Sequence, residues 1–467
     1  MTHKELGKAV EDWARNHRQE LVKDIIAIVN QKSVSCPGEG SYAFGTDCKN
    51  CADSMMQMAS GYGFITDNDD YYTISIILPG ETGRELGLLG HLDVVPEGEG
   101  WHYAPYNAIE KEGFVIGRGS SDNKGAVIMA MYVMRALKEL GVKFQHTIRL
   151  ICGFNEEAGM KDVEHYLKIH NPPEYTIVTD GGWAMCIGEK GILNADLVFP
   201  SKSGNLEYLE AGIAHNAVPS EAKAVLSGID VRYVKALESN GADISVSEAE
   251  AGRVAVTAYG KAGHAAFPWS AENAVYKLLH FLAGNNLVNG EAGITIEKLA
   301  QLFTDDYGTG LGIAYEDQPS GKTTCVGSLL RFRNGEIIQH IDTRYAVSQK
   351  SKDIIGVLQK LEKDHGMQIR NLNDSAPRYT DPEAPVTKML MDTVHEFLGE
   401  DYEAYTMGGG THARKFPNAL PYGPGDVKGI VNPFGHPHGI DEAVSIEGLL
   451  MSMSTYAVAL KRLDEML

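Results

Sequence analysis

The segment LGLLGHLD, residues 86–93, is an unbroken apolar run that stops on a histidine and an aspartate. A run this short with no polar alternation reads as a strand buried on both faces. Outward from it, similar runs recur as YYTISIIL (71–78), TIRLICGF (147–154) and YTIVTD (175–180), with helical patterns at about 123–140 and 158–169 between them. Strands alternating with helices predict an α/β domain with a central mixed sheet flanked by helices. Near Pro200 the pattern changes to short alternating segments, AKAVLSG (222–228), RVAVTAYG (253–260) and EIIQHIDTRY (336–345), mixed with helices at about 271–283 and 349–365. The α/β style resumes after Pro382 with the helix TKMLMDTVHEFLG, a glycine-rich stretch and the closing helix SIEGLLMSMSTYAVALKRLDEM. The expected organisation is therefore one discontinuous domain, 1–188 and 381–467, interrupted by an inserted α+β domain, 189–380.

Composition narrows the function classes. Forty-two Lys and Arg against sixty-two Asp and Glu give a net charge of −20, which repels phosphate backbones, and no basic patch is segregated; nucleic-acid binding is not expected. The longest apolar run, 126–134, falls well short of the roughly 20 residues a membrane-spanning helix needs. The N-terminal segment carries charges every few residues and reads as an amphipathic helix, not a signal peptide, so a cytoplasmic location is expected. Six cysteines are too few for a disulfide scaffold, and Cys48-x-x-Cys51 lacks the second ligand pair or βαβ context of a zinc or redox motif.

Metal-competent residues recur where apolar strands stop: His91 and Asp93, then Glu156 and Glu157, then Asp180. The carboxyl ends of strands in an open α/β sheet are where ligands bind, and a charge directly after a buried strand costs desolvation unless a partner or metal satisfies it. Asp93 can accept the second ring N–H of His91 and fix the tautomer of a ligating imidazole. A fourth piece, GRGSSDNKG (117–125), sets Asp122 at the mouth of a helix. Asp122 reads either as an N-cap or as a metal-bridging carboxylate in a loop that Gly117, Gly119 and Gly125 allow to approach closely. Glu156 and Glu157 read either as a solvated pair opening a helix or as one ligand and one free acid for moving protons.

In this order the pieces resemble the dinuclear metallopeptidase family of carnosinase, aminoacylase and succinyl-diaminopimelate desuccinylase, over nearly the whole chain. The resemblance implies two divalent cations, zinc first and manganese or cobalt as alternatives, bridged by Asp122, with His91 and Asp180 completing one site and Glu157 and His438 of HGIDE the other. His436 lacks the family spacing to Asp441-Glu442. Such cations lower the pKa of a water between them, and Glu156 is implied as the base that accepts its proton and returns it to the leaving amine. A cis peptide after Asp122 is also implied. The inserted domain then becomes a lid: GIAHNAVPSEA (212–222) and GKAGHAAFPWSAENA (260–274) implicate Asn216 and His264 as oxyanion donors. Arg344 matches the family's D-x-R and would grip a substrate carboxylate, with backbone N–H groups from Gly410 and Thr411 in Gly408–Gly409–Gly410–Thr411. The long insertion resembles the bacterial PepV-type dipeptidases, which implies a monomer acting on small peptides. Two departures stand out: His412 replaces the Tyr of G-G-T-Y-A, and Gly181–Gly182 follows Asp180 where an acid is expected, which removes one partner for a substrate's free amine. The expected activity is dipeptide hydrolysis; deacylation of N-acyl amino acids at the same centre, or metal-bearing peptide binding without turnover, are the alternatives.

Overall fold

The computed structural model describes residues 1–38, 40–238 and 243–467, which separate into two units. The first comprises Met1–Ile187, Thr380–Tyr405 and Gly410–Leu467; the second comprises Gly188–Tyr379 and Thr406–Gly409.

In the first unit the apolar runs form adjacent strands of a six-stranded mixed sheet, in the order Ile65–Asp69, Thr73–Leu78, Thr147–Gly153, Glu85–His91, Tyr175–Val178 and Ala419–Pro421. The last four of these run parallel. Register sets His91 opposite Gly153 and Leu89 opposite Val178, so three parallel strands finish almost level. The sheet edge at their carboxyl ends is thus one place from which three successive loops can reach a common ligand. The strand expected from residue 71 begins at Thr73, because Asp70 and Tyr71 take positive φ in a tight turn after Ile65–Asp69.

The helix Gly125–Glu139 is apolar around its circumference, and every residue from Gly125 to Leu137 is buried. Such a helix needs cover on all sides; it contacts Ile446–Met466, which in turn contacts His3–Asn16. The helix starts at Gly125, not at Asn123, because Ser120–Lys124 forms a wide irregular turn in which Asp122 is non-helical, at φ −123° and ψ 93°. The peptide bonds Asp122–Asn123 and Trp183–Ala184 are cis. The next helix likewise starts later than 158, at Lys161, since Asn155–Met160 turns first and Met160 enters the helix from a left-handed conformation.

The second unit is built on an eight-stranded antiparallel sheet, ordered Ile244–Ala249, Arg253–Tyr259, Glu221–Leu226, Leu206–Ala211, Thr324–Arg333, Glu336–Tyr345, Gly191–Pro200 and Gln368–Ser375. Burial alternates along Glu221–Leu226 and through most of Gly191–Pro200, as a sheet with one covered face requires. The helices Ala274–Gly284, Gly290–Leu302 and Ser351–His365 contact the sheet and share its apolar core. Among the described residues no helix is long and apolar enough to cross a membrane.

Candidate metal centre

The level strand ends bring two groups of potential ligand atoms together. His91, Asp122 and Asp180 form one, and Asp122, Glu157 and His438 the other; within each group one ligand atom per residue lies within 4.8 Å of the others. Asp122 belongs to both. Its Oδ1 is 2.9 Å from His91 Nε2 and its Oδ2 is 3.1 Å from His438 Nε2. His91 Nε2 is 3.7 Å from Asp180 Oδ2, and His438 Nε2 is 3.0 Å from Glu157 Oε1. The N-cap reading of Asp122 is therefore corrected: its carboxylate faces two imidazoles, and the following helix has no side-chain cap at its start.

The charged groups of this cluster shift one another's titration. Burial, and then the negative charge of Asp122, raises the Asp180 carboxyl to about 7. Hydrogen bonds to Asp122 and Glu157 hold His438 at about 10. Burial opposes the charged form of His91, but its bonds to Asp122 and Asp93 prevail and raise it well above the usual imidazole value. Asp122 is also opposed by burial, yet the two imidazoles pull it below the ordinary aspartate range. Protons on the imidazoles and on Asp180 thus stand where positive metal charge would stand. Imidazole nitrogens and carboxylate oxygens in two trios that share one acid fit a pair of divalent cations.

The surrounding groups fix these side chains. His91 Nδ1 donates to the Asp93 carbonyl oxygen at 3.0 Å, which turns Nε2 toward the centre, the nitrogen that would offer a lone pair once a cation displaced its proton. The Asp93 carboxylate stands beside the same nitrogen, its Oδ1 at 3.5 Å, and its two oxygens also accept the Glu156 and Glu157 backbone N–H groups. Asn123 donates to the Thr179 carbonyl at 2.7 Å. Glu442, whose burial is nearly complete, accepts from the backbone N–H groups of Gly119, Ser121 and Asp122 and from Arg118 at 2.7 Å. Arg118 also donates to the His438 carbonyl, so this one ion pair ties the Asp122 turn to the His438 loop. A Cβ on Gly125 would collide with the Ser120 carbonyl, which explains the glycine that ends GRGSSDNKG.

Glu156 is affected by the charges of His91, Asp180, Glu157 and Asp122 but contributes no atom to either trio. Burial is the main cause that lifts its carboxyl well above the usual glutamate value, and the neighbouring acids add to it. It sits in the turn after Thr147–Gly153, ahead of the helix and not in its first turn, so the pair does not open a helix. His436, exposed, belongs to neither trio and lines a cavity of about 390 Å³ beside Asp122 and Asp180.

Thr411 caps the short turn His412–Arg414 by accepting from Ala413 N–H, directly after Gly410. His412 is buried and its Nε2 lies 3.0 Å from Asp162 Oδ2, with its ring edge-on to that of His91. A tyrosine hydroxyl at that place would not carry the charge that helps keep Asp162 below the ordinary aspartate value against its burial.

In the second unit, His264 lies on a two-residue strand that pairs with Ala217–Val218, and Asn216 Nδ2 is 3.5 Å from its Nε2. Ala266 N–H donates to His264 Nδ1, which assigns the proton of the neutral ring to Nε2. Arg344 does not present an open fork. Its Nε and one Nη bind both oxygens of Asp342 at 2.6 and 2.9 Å, and the other Nη donates to the Gly408 carbonyl. Three of five N–H donors are thereby used.

Sequence reading missed Arg118 and Glu442 as partners; the only signal was the acid pair after HGI, read there as a spacing mark. Cys48 and Cys51 are buried in the helix Thr46–Gly61, with no disulfide between described residues, and burial raises both thiols, which removes them from reactive chemistry. Asp67, Asp69 and His170 also cluster, and the 2.8 Å ion pair of Asp69 with His170 accounts for them.

The chain is similar to known proteins over nearly its whole length. The model of peptidase family M20/M25/M40 matches residues 87–462. A putative dipeptidase of Bacillus subtilis, YtjP, is 28% identical, covering 96% of this chain and 97% of its own. A Beta-Ala-Xaa dipeptidase of Lactobacillus delbrueckii is 28% identical over 100% of this chain and 99% of its own. The fold is similar to that of human carnosine dipeptidase 1, at 14% identity and a TM-score of 0.54, covering 98% of this chain and 100% of the other.

Proposed function

The chain belongs to peptidase family M20/M25/M40 and is a metal-dependent peptide hydrolase; from that premise we propose that it is a dipeptidase that cleaves unblocked dipeptides at a centre of two divalent cations. The reading rests above all on two ligand trios that share Asp122, with Glu156 beside both and a member of neither.

His91 and Asp180 would hold one cation, Glu157 and His438 the other, and Asp122 would serve both. Two divalent cations, when bound, supply the Lewis acidity that polarises a carbonyl and acidifies water. Glu156 takes a proton from the attacking water and returns it to the departing amine. His264, through its Nε2–H, and Asn216, through its amide, donate to the oxygen that gains charge as the carbonyl becomes tetrahedral. Asp93 orients His91. The two remaining donors of Arg344, with the backbone N–H groups of Gly410 and Thr411, receive the substrate's terminal carboxylate. The N/O donor set suits zinc first, and also manganese or cobalt. The reading includes a monomer at work in the cytoplasm; its small-peptide substrates are in line with the relatives named as dipeptidases.

One observation favours a second reading, deacylation of N-acyl amino acids: glycines occupy positions 181 and 182, where a carboxylate would meet a free amine. Metal analysis, paired with a panel of dipeptides against N-acetyl and N-succinyl amino acids, tests both. Two metals per chain and cleavage of dipeptides are expected. Cleavage of the acylated set alone rejects the dipeptidase for the deacylase, and stoichiometric metal with bound peptide but no cleavage in zinc, manganese or cobalt favours a binding protein.

A further inference from the structure

Asp180 is followed by Gly181 and Gly182, and a carboxylate from a distant part of the sequence, Asp426, stands over Gly182. A cavity of about 390 Å³ opens beside the candidate metal centre, within the first unit. Asp122, Asp180 and Asp426 bring three carboxylates to it; Phe114, Ile430 and Leu449 contribute apolar wall, and no Lys or Arg lines it. Asp122 and Asp180 are assigned to cations on the reading above, on which this inference rests. Asp426 has no such duty.

Asp426 is positioned by a strap between two loops. Gly425 N–H donates to the Gly181 carbonyl and Trp183 N–H donates to the Gly425 carbonyl, each at 2.9 Å. Tyr405 fastens the same place, its hydroxyl accepting from Gly182 N–H at 2.9 Å. The strap lays the Asp426 carboxylate over Gly182, so closely that a Cβ on Gly182 would lie 2.8 Å from Asp426 Oδ2. Gly182 thus leaves room for an acid that arrives from position 426 instead of its own. Asp426 is exposed, and among the described residues none forms a hydrogen bond or ion pair with it. With Asp122 and Asp180 given over to cations, Asp426 is the lining carboxylate left to attract a peptide's ammonium end, and His436 is the one imidazole beside it in the lining.

We propose that Asp426 is the specificity-determining residue that receives the substrate's free α-ammonium group in this cavity, in place of an acid at position 182. An ammonium–carboxylate hydrogen bond there selects unblocked peptides over their acylated counterparts.

The test compares the fastest-cleaved dipeptide of the panel with its desamino analogue, followed as a substrate or, where it is not turned over, as a competitive inhibitor. Asp426→Asn is expected to lower kcat/KM for the dipeptide about tenfold or more, chiefly through KM. Metal content and the KM or inhibition constant of the analogue should stay unchanged. Asp426→Glu should keep most of the wild-type preference. The double variant Gly182→Asp with Asp426→Gly should recover preference for the free amine, since it moves the carboxylate across the strap. Equal losses for dipeptide and analogue, or no loss for either, overturn the assignment. A wild-type protein that cleaves no dipeptide at all overturns the dipeptidase reading instead, whatever the Asp426 variants do.

Discussion

Two regions treat their polar side chains in opposite ways. At the strand ends of the first unit each metal-competent group is fixed by a further partner: His91 by the Asp93 carbonyl, the Asp122 turn by Glu442, and the Glu156 and Glu157 backbone by Asp93. In the second unit Asn216 and His264 are exposed, and the Ala266 N–H sets which nitrogen of the His264 ring carries its proton. Ligands of a cation must wait at fixed spacing while their charges repel, so the fold over-determines them. Groups that meet a substrate have to remain reachable, and a loop position with a set tautomer suffices.

The sharpest way to break this contrast is Glu156→Gln. Glu156 is the one acid of the first region left out of both trios, so its loss should leave two metals bound and lower turnover by about 10²–10⁴-fold. Metal loss in this variant would make Glu156 a ligand, and intact turnover would remove it as the proton carrier. The next pair of variants measures the contrast directly. His264→Ala should lower kcat by about 10²–10³-fold with an unchanged unfolding midpoint. Glu442→Gln should act the other way, since whichever way its amide turns, the NH2 meets a pair of N–H donors, Arg118 with Gly119 or Ser121 with Asp122, where an acceptor is needed. Leaving Arg118 without its buried partner costs about 3–5 kcal/mol of stability, and metal affinity should fall about 10–100-fold. Denaturant unfolding and metal titration of the two proteins check the pair; equal stability losses would dissolve the distinction.

How much of this was legible in the sequence follows the same division. The four strands could be read because a strand buried on most of both faces must be largely apolar, and a charged residue directly after one stands out. His91, Glu157 and Asp180 could be gathered on that ground, and the structure brings them near Asp122 and His438. Asp122 itself was ambiguous, since Asp before an apolar helix is also an N-cap; the choice depends on Glu442, which takes its backbone N–H from 320 residues away. No local pattern announces such a bond. Arg344 shows the converse limit: D-x-R reads as an open cation, yet at a spacing of two along a strand both side chains share a face, and Asp342 takes the fork. Asp426 was invisible because what matters is the space over Gly182, which two loops create together.

The smallest expected effect tests whether protons in the first region do stand in for cations. In the metal-free protein Asp180 titrates at about 7 when folded, above its ordinary 3.8, so the folded state binds more protons between those values. Its contribution to stability is therefore present at low pH and lost as pH rises through about 7. His438, raised to about 10 from 6.5, contributes fully below 6.5 and loses that contribution as pH rises through about 10. The two act with the same sign. Asp122, held low, acts with the opposite sign, but only at strongly acid pH, outside this window. The metal-free protein should thus weaken steadily between pH 6 and 9, while divalent cations that supply the positive charge are favoured as protons leave. The Tm gained on adding metal should then be larger at pH 9 than at pH 6, by on the order of 5 °C. Thermal unfolding with chelator and with zinc or manganese, at four pH values across that range, gives the difference. A gain that is flat or shrinks with pH would mean that cations do not replace protons on Asp180 and His438, and the tightly held geometry of the first region would need a cause other than metal.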